Sequence, residues 1–143
     1  MLYLDIDAIN AKFFAVPLTY KDSKNVTQTL APNQLLVENG PTENVDETKP
    51  WVRWTINPGE SKRTAVSPAL FTSLGTATLQ VFAPKGTGVG VAIDIKSAFE
   101  NAFRDWRSPD KCLRIYKMSS TKGTDKDFLQ INVTVYYESK RLA

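Results

Sequence analysis

Near its C-terminal end the chain reads FLQINVTVYYES (residues 128–139), with Leu129, Ile131, Val133, Val135 and Tyr137 alternating against Gln130, Asn132 and Thr134. A period of two sustained this long describes a strand with one apolar and one polar face. A sheet built around such a strand must hide its apolar side under another layer, so the remaining sequence has to supply both partner strands and a cover.

Partner strands are visible. WVRWTIN (51–57) puts Val52, Trp54 and Ile56 on one side and Trp51, Arg53, Thr55 and Asn57 on the other, and Pro58-Gly59 stops it. TATLQVFA (76–83) sets Ala77, Leu79, Val81 and Ala83 on one side, and CLRIYKM (112–118) precedes the closing strand. The cover is visible too. Leu2, Ile6, Ile9, Phe13 and Val16 recur at helical spacing until Pro17. Val91, Ile95, Ala98, Phe99, Ala102, Phe103 and Trp106 form a second, wider stripe, which Ser108-Pro109-Asp110 ends. Its reverse carries Lys96, Glu100 and Arg104 at i, i+4 spacing, as a solvated helix surface does.

Residues 21–50 are polar and irregular, with only QLLVENG (34–40) suggesting a short strand closed by a turn. Residues 58–75 read as a second long connection, carrying Lys62, Arg63 and an apolar Ala69-Leu70-Phe71. Strands 51–57 and 76–83 are predicted to pair antiparallel, as are the last two. The prediction is one α+β domain over residues 1–143: a mainly antiparallel sheet covered on one side by two helices, with 21–50 and 58–75 as long loops or arms. A chain of 143 residues suits one such core.

Composition narrows the chemistry. There is no histidine and one cysteine, Cys112, so a transition-metal site and a histidine-activated nucleophile are not expected. A lone cysteine also excludes an internal disulfide and fits a reducing compartment. Cys112 reads as a small buried residue at a strand start. Asp5 and Asp7, two apart on a helix, point in different directions and make no acid–base pair. Glu38, Glu43, Asp46 and Glu47 lack the spacing of a calcium loop and read as a solvated loop. A net charge of +3 is too weak and too dispersed for a nucleic-acid-binding face. No apolar run reaches membrane-spanning length, and AKFFAVPL (11–18) has no basic leader, so no signal peptide is expected. Trp51, Trp54, Trp106, Phe82, Tyr116, Tyr136 and Tyr137 suggest a base-stacking platform only through Arg53 beside Trp51 and Arg114 beside Tyr116; core packing or subunit contact is the preferred reading.

Strand, glycines, then helix invites a phosphate-binding reading of Gly86, Gly88 and Gly90. A P-loop requires Gly-Lys-Ser/Thr at the helix start, where this chain has Val91, Ala92 and Ile93, and Lys85 precedes the loop instead of following it. A dinucleotide fingerprint fits Gly86 and Gly88 but again meets Val91 at its sixth position. The residues read as a backbone corner: Pro84 ends the strand, Gly86 turns the chain, and Thr87 caps the helix. No cofactor is expected.

Taken together, PWVRWTINPGES, LGTATLQVFAPKGTGVGVAIDIKSAFENAF and FLQINVTVYYES resemble the tail terminator family of long-tailed bacteriophages. The most specific part is Val81-Phe82-Ala83-Pro84-Lys85-Gly86-Thr87-Gly88. The resemblance spans residues 51–137 and, less specifically, the first helix. It implies a non-enzymatic virion protein at the head-proximal end of the tail. Such subunits form a hexameric ring that caps the tail tube, halts its polymerisation and docks the head connector or stopper protein. A sheath is a further partner where the tail is contractile, and DNA passes through the lumen without sequence-specific binding. Within that reading, Leu70 and Phe71 are candidates for a subunit contact. Lys62 and Arg63 are candidates for facing the lumen or pairing with a neighbour's Glu43 or Asp46. The alternatives are another head–tail joining or tail-completion protein on the same scaffold and, more remotely, a nucleotide-binding enzyme.

Overall fold

A computed structural model of the chain describes residues 3–37, 45–66, 69–86, 89–123 and 127–142. Helix α1 (Tyr3–Ala15) leads into a small hairpin of β1 (Thr19–Lys21) and β2 (Thr27–Thr29). Then follow β3 (Leu35–Val37), β4 (Trp51–Asn57), β5 (Ser61–Val66), β6 (Ala69–Pro84), α2 (Val89–Phe103), β7 (Leu113–Gly123) and β8 (Phe128–Leu142). The main sheet runs β3-β4-β6-β8-β7, with β5 also paired to β6. Every pairing is antiparallel except β3 with β4. The chain is therefore α+β, and both predicted antiparallel pairings are present.

Strands β6 and β8 form the spine, paired from Leu70↔Leu142 to Pro84↔Phe128. One side of the spine presents Ala77, Leu79, Val81, Val133, Val135 and Tyr137, all fully buried. Both helices pack on that side through Ile9 and Phe13 of α1 and Ile95, Phe99 and Phe103 of α2. The Phe13 ring stacks on Trp54 at 4.5 Å, and Phe99 meets the same indole edge-on at 5.5 Å. Trp54 Nε1 donates to Asn10 Oδ1 at 2.9 Å, so the largest core side chain leaves no polar atom unpaired. Burial of each such aromatic stabilises the fold by about 1.5–3 kcal/mol.

Three predicted features differ. Residues 58–75 are not a loop. Strand β5 continues the edge begun by β4, pairing with the first half of β6 while β4 pairs with the second. Between Asn57↔Thr76 and Ser61↔Ser73 the edge bulges at Pro58, Gly59 and Glu60, and Leu74 N donates to Glu60 O at 2.9 Å. Gly59 is required there, since a Cβ would collide with the Leu74 carbonyl. The ladder hid from the sequence because Ser61, Lys62, Arg63 and Thr64 are exposed on both faces, which erases the period of two. Residues 21–50 are likewise not one irregular arm. They complete the β1–β2 hairpin, whose turn is closed by Asp22 accepting from the backbone of Lys24 and Val26 and from Gln28, and they contribute β3. Leu18 and Leu30 anchor that hairpin in the core. Finally, α2 stops at Phe103, short of Trp106, because Asp105 adopts a left-handed backbone (φ 56°).

A charged clamp fastens the two ends of the chain together. Asp5, fully buried on α1, accepts from Arg141 Nε and Nη2 at 2.9 and 2.6 Å, and Arg141 Nη1 reaches Asp110 at 2.7 Å. Asp5 and Asp7 do face apart: Asp7 is exposed. No helix among the described residues is long and apolar enough to cross a membrane.

Candidate subunit interface

Among the described residues, the sheet's second side has no helical cover. Because β4, β6, β8 and β7 are in register, side chains on that side line up in rows. One row is Thr55, Thr78, Thr134 and Ser119; the next is Arg53, Gln80, Asn132 and Thr121. The Thr78 and Thr134 hydroxyls lie 3.2 Å apart, and Gln130 Nε2 donates to Asn132 Oδ1 at 2.9 Å. This carpet of hydroxyls and amides is edged by charge: Arg53 stands in its second row, Lys117 lies over the Tyr136 ring at 4.7 Å, and Arg114, Glu138 and Lys140 follow on the same side toward the β7–β8 corner.

At one end of the carpet Trp51, which the alternation assigns to the polar side, is in fact buried. It stacks on Phe82 at 4.1 Å, Phe128 closes edge-on, and Leu36 of β3 completes a second small core. Arg53 lies over both Trp51 and Phe82 at 5.7 and 5.8 Å. Trp51 and Phe82 belong to this second core and Trp54, Trp106 and Tyr137 to the main one, whereas exposed Tyr116 pairs with Tyr136 outside both. The pairs Arg53–Trp51 and Arg114–Tyr116 do come together, the latter at 5.8 Å, and Lys117 lies over Tyr136.

At the other end β5, β6 and β8 run on beyond β4. Lys62 and Arg63 are both exposed, yet alternation on β5 sends them to opposite sides. Lys62 pairs with Thr72 on the carpet side; Arg63 lies 5.5 Å over the Phe71 ring on the helix side. Leu70 and Phe71 also diverge, and both are half-buried. Leu70 faces its register partner Leu142, and Leu74 follows on the same side, so an apolar patch of Leu70, Leu74 and Leu142 is set on the carpet face. The carpet therefore holds Lys62 and Leu70, while Arg63 and Phe71 belong to the other surface. Exposed Tyr3, Leu4 and Phe14 on α1 and Val89 and Ile93 on α2 make the helical side apolar as well.

Asp46 sits at the far edge, before β4. Buried Gln34 holds its backbone, accepting from Asp46 N at 2.8 Å and donating to the carbonyls of Asp46 and Pro50. The Asp46 carboxylate accepts from the Thr48 hydroxyl and amide, and these bonds hold it below the usual carboxylate range. Glu43, Thr87 and Gly88 lie outside the described residues. At the corner, β6 ends at Pro84, Gly86 takes φ 92° with open space around it, and α2 starts at Val89.

Two features had no sequence signal. The Asp5–Arg141–Asp110 clamp joins residues from opposite ends of the chain. It holds Asp110 well below the ordinary carboxylate range through the Ser108 hydroxyl, the Cys112 amide and Arg141. Burial, with the Asp5 charge behind it, pushes the Tyr137 hydroxyl up to about 12. That hydroxyl donates to Asn57 O at 3.2 Å across Gly75, whose lack of a side chain makes room for it. The other is a basic cleft at the β7–β8 corner, lined by Arg107, Lys111, Arg114 and Lys140.

No family model and no curated protein matches the chain. A solved structure that carries only a serial designation shares the fold, with a TM-score of 0.61 at 15% identity over 96% of each chain.

Proposed function

We propose that the chain is a non-enzymatic virion protein of the tail-terminator kind, whose subunits close into a hexameric ring on the head-proximal end of a phage tail tube. The observation that carries the reading is the sequence of segment 81–88, which resembles the terminator corner and whose described part, Val81 to Gly86, ends the central strand just before α2. Gly86 serves that junction by its left-handed backbone.

The two sides of the sheet support the same reading. A ring that passes DNA needs a surface that does not grip phosphate, and the uncharged row of Thr55, Thr78, Thr134 and Ser119 has that property. Among the former candidates, Lys62 belongs to that lumen side, and Arg63 to the side facing neighbours. A ring also needs self-adhesive surfaces, and the exposed apolar residues of α1 and α2 on the helical side supply them. The tube protein and the head connector or stopper are the axial partners, and the sheath joins them in a contractile tail.

The test is to add purified protein to tail tubes growing in vitro and image them. Capped tubes of arrested length, each with a ring at one end, are the expected result. Tubes that grow unhindered and bare overturn the proposal.

A further inference from the structure

The basic cleft is built from the α2–β7 connection and the ends of β7 and β8. Its volume is about 350 Å³, and its walls carry Arg107, Lys111, Arg114 and Lys140 against a single carboxylate, Glu138. Glu138 is already engaged by Arg114 at 3.3 Å and Lys140 at 3.6 Å. Arg107 and Lys111 are exposed and form no ion pair among the described residues. The cleft's backbone is fixed by an Arg107↔Arg114 bridge and by Lys140 N donating to Cys112 O at 2.9 Å.

The chain carries the opposite charge elsewhere. In the turn before β4 stand Asp46 and Glu47, with Lys49 after them. Buried Gln34 pins the part of this stretch around Asp46, and Glu47 stands exposed in the turn. The turn precedes β4, at the sheet edge and strand end diagonally opposite the cleft. Four inter-strand spacings and about nine residues along β8 put the two corners roughly 20 Å apart across the sheet and roughly 30 Å apart along it. Within one molecule that exceeds the Debye length of about 8 Å several-fold, so the patches do not feel each other.

We infer that the Arg107/Lys111 cleft of one subunit receives the acidic Asp46–Glu47 turn of a second copy of this chain. A contact in which one cleft takes one turn is head-to-tail and propagates into a ring or a helix; reciprocal use of both patches by two copies would instead close a two-fold dimer. Complementary charge sets its register, and salt weakens it. The inference rests on the ring reading above, and names the contact that would hold neighbours together.

Sedimentation velocity of the full chain at low and high salt tests it, with the variants R107E/K111E and E47K. Each reversal is expected to weaken self-association at least about tenfold. An equimolar mixture of the two should restore it, since each acidic cleft then meets a basic turn and each basic cleft an acidic one. A misfolded variant could not be rescued by mixing. If the wild-type chain associates and the reversals leave it unchanged, the charge contact is wrong and the ring reading survives. If the wild-type chain stays monomeric both alone at low salt and on tube ends, ring and contact fall together. A labelled single-stranded oligonucleotide that binds wild type but not R107E/K111E, with association unaltered, would make the cleft a nucleic-acid site and overturn the inference.

Discussion

Trp54 and Trp51 stand three residues apart on β4, on opposite sides of one sheet. Trp54 is wedged among Phe13, Phe99 and Phe103 beneath two helices, and its ring nitrogen has a partner in Asn10. Trp51 belongs to a three-residue cluster with Leu36 and Phe82, under Arg53, and its buried Nε1 has no hydrogen-bond partner among the described residues. The difference teaches what each side of the sheet is for. The helical side is where this domain obtains its stability. The carpet side is held flat by register and small polar contacts and stays available to face something else.

Substitutions should separate the two sides. Trp54→Ala removes the hub of the main core and is expected to cost about 4 kcal/mol, measured by denaturant unfolding; Trp51→Ala is expected to cost clearly less. Equal losses would mean that the small cluster is as structural as the large one. Arg141→Met leaves Asp5 charged, buried and unpaired, an expected loss of about 3 kcal/mol or more. The double variant Asp5→Asn/Arg141→Met should recover much of it, because the orphaned charge is gone. Gly75→Ala puts a Cβ against the Tyr137 hydroxyl and 2.9 Å from Asn57 O, with an expected cost of about 2 kcal/mol. Adding Tyr137→Phe should return part of that loss, a result that a purely backbone effect would not give. At the small end, Thr78→Val on the carpet should change stability by no more than about 0.5 kcal/mol. A larger loss would show that the open side also holds the fold.

The pH dependence follows the same division. Tyr137 has its pKa raised from 10.0 to about 12 in the folded state. The unfolded chain therefore releases that proton first, so the contribution of Tyr137 is full below pH 10 and is lost as pH rises toward 12. Wild type should lose more stability than Tyr137→Phe over that window in parallel thermal melts. Asp110 has the opposite sign. Its lowered pKa makes its contribution full above the ordinary carboxylate range and lost as the solution is acidified below it. The half-exposed position of Asp110 keeps that effect the smaller of the two.

Legibility in the sequence tracked burial contrast. Strands β4, β8 and the second half of β6 have one dry and one wet side, so their alternation named both the strands and the buried residues. Strand β5 is exposed from Ser61 to Thr64, and the first half of β6 buries the polar Thr72 and Ser73 on opposite sides, so neither segment shows a period of two and Lys62, Arg63, Leu70 and Phe71 read as part of a loop. Trp51 misled for the converse reason: it is buried on the side whose neighbours are polar, by Phe82 and Phe128 from strands distant in sequence. Among the candidate residues, Pro84 and Gly86 could be placed from local backbone rules alone. Which face Lys62 and Arg63 occupy could not, since it depends on the bulge at Gly59.

What the sequence determined by itself is the set of local elements with a strong period, the α+β class they imply, and the corner at Gly86, because periodicity and backbone sterics act over a few residues. What only the tertiary structure decided is everything made by register: the Asp5–Arg141–Asp110 clamp, the hydroxyl and amide carpet, and the diagonal separation of the basic cleft from the acidic turn. Those depend on which strands lie side by side, and long-range pairing brings together residues whose spacing along the chain carries no trace of the contact.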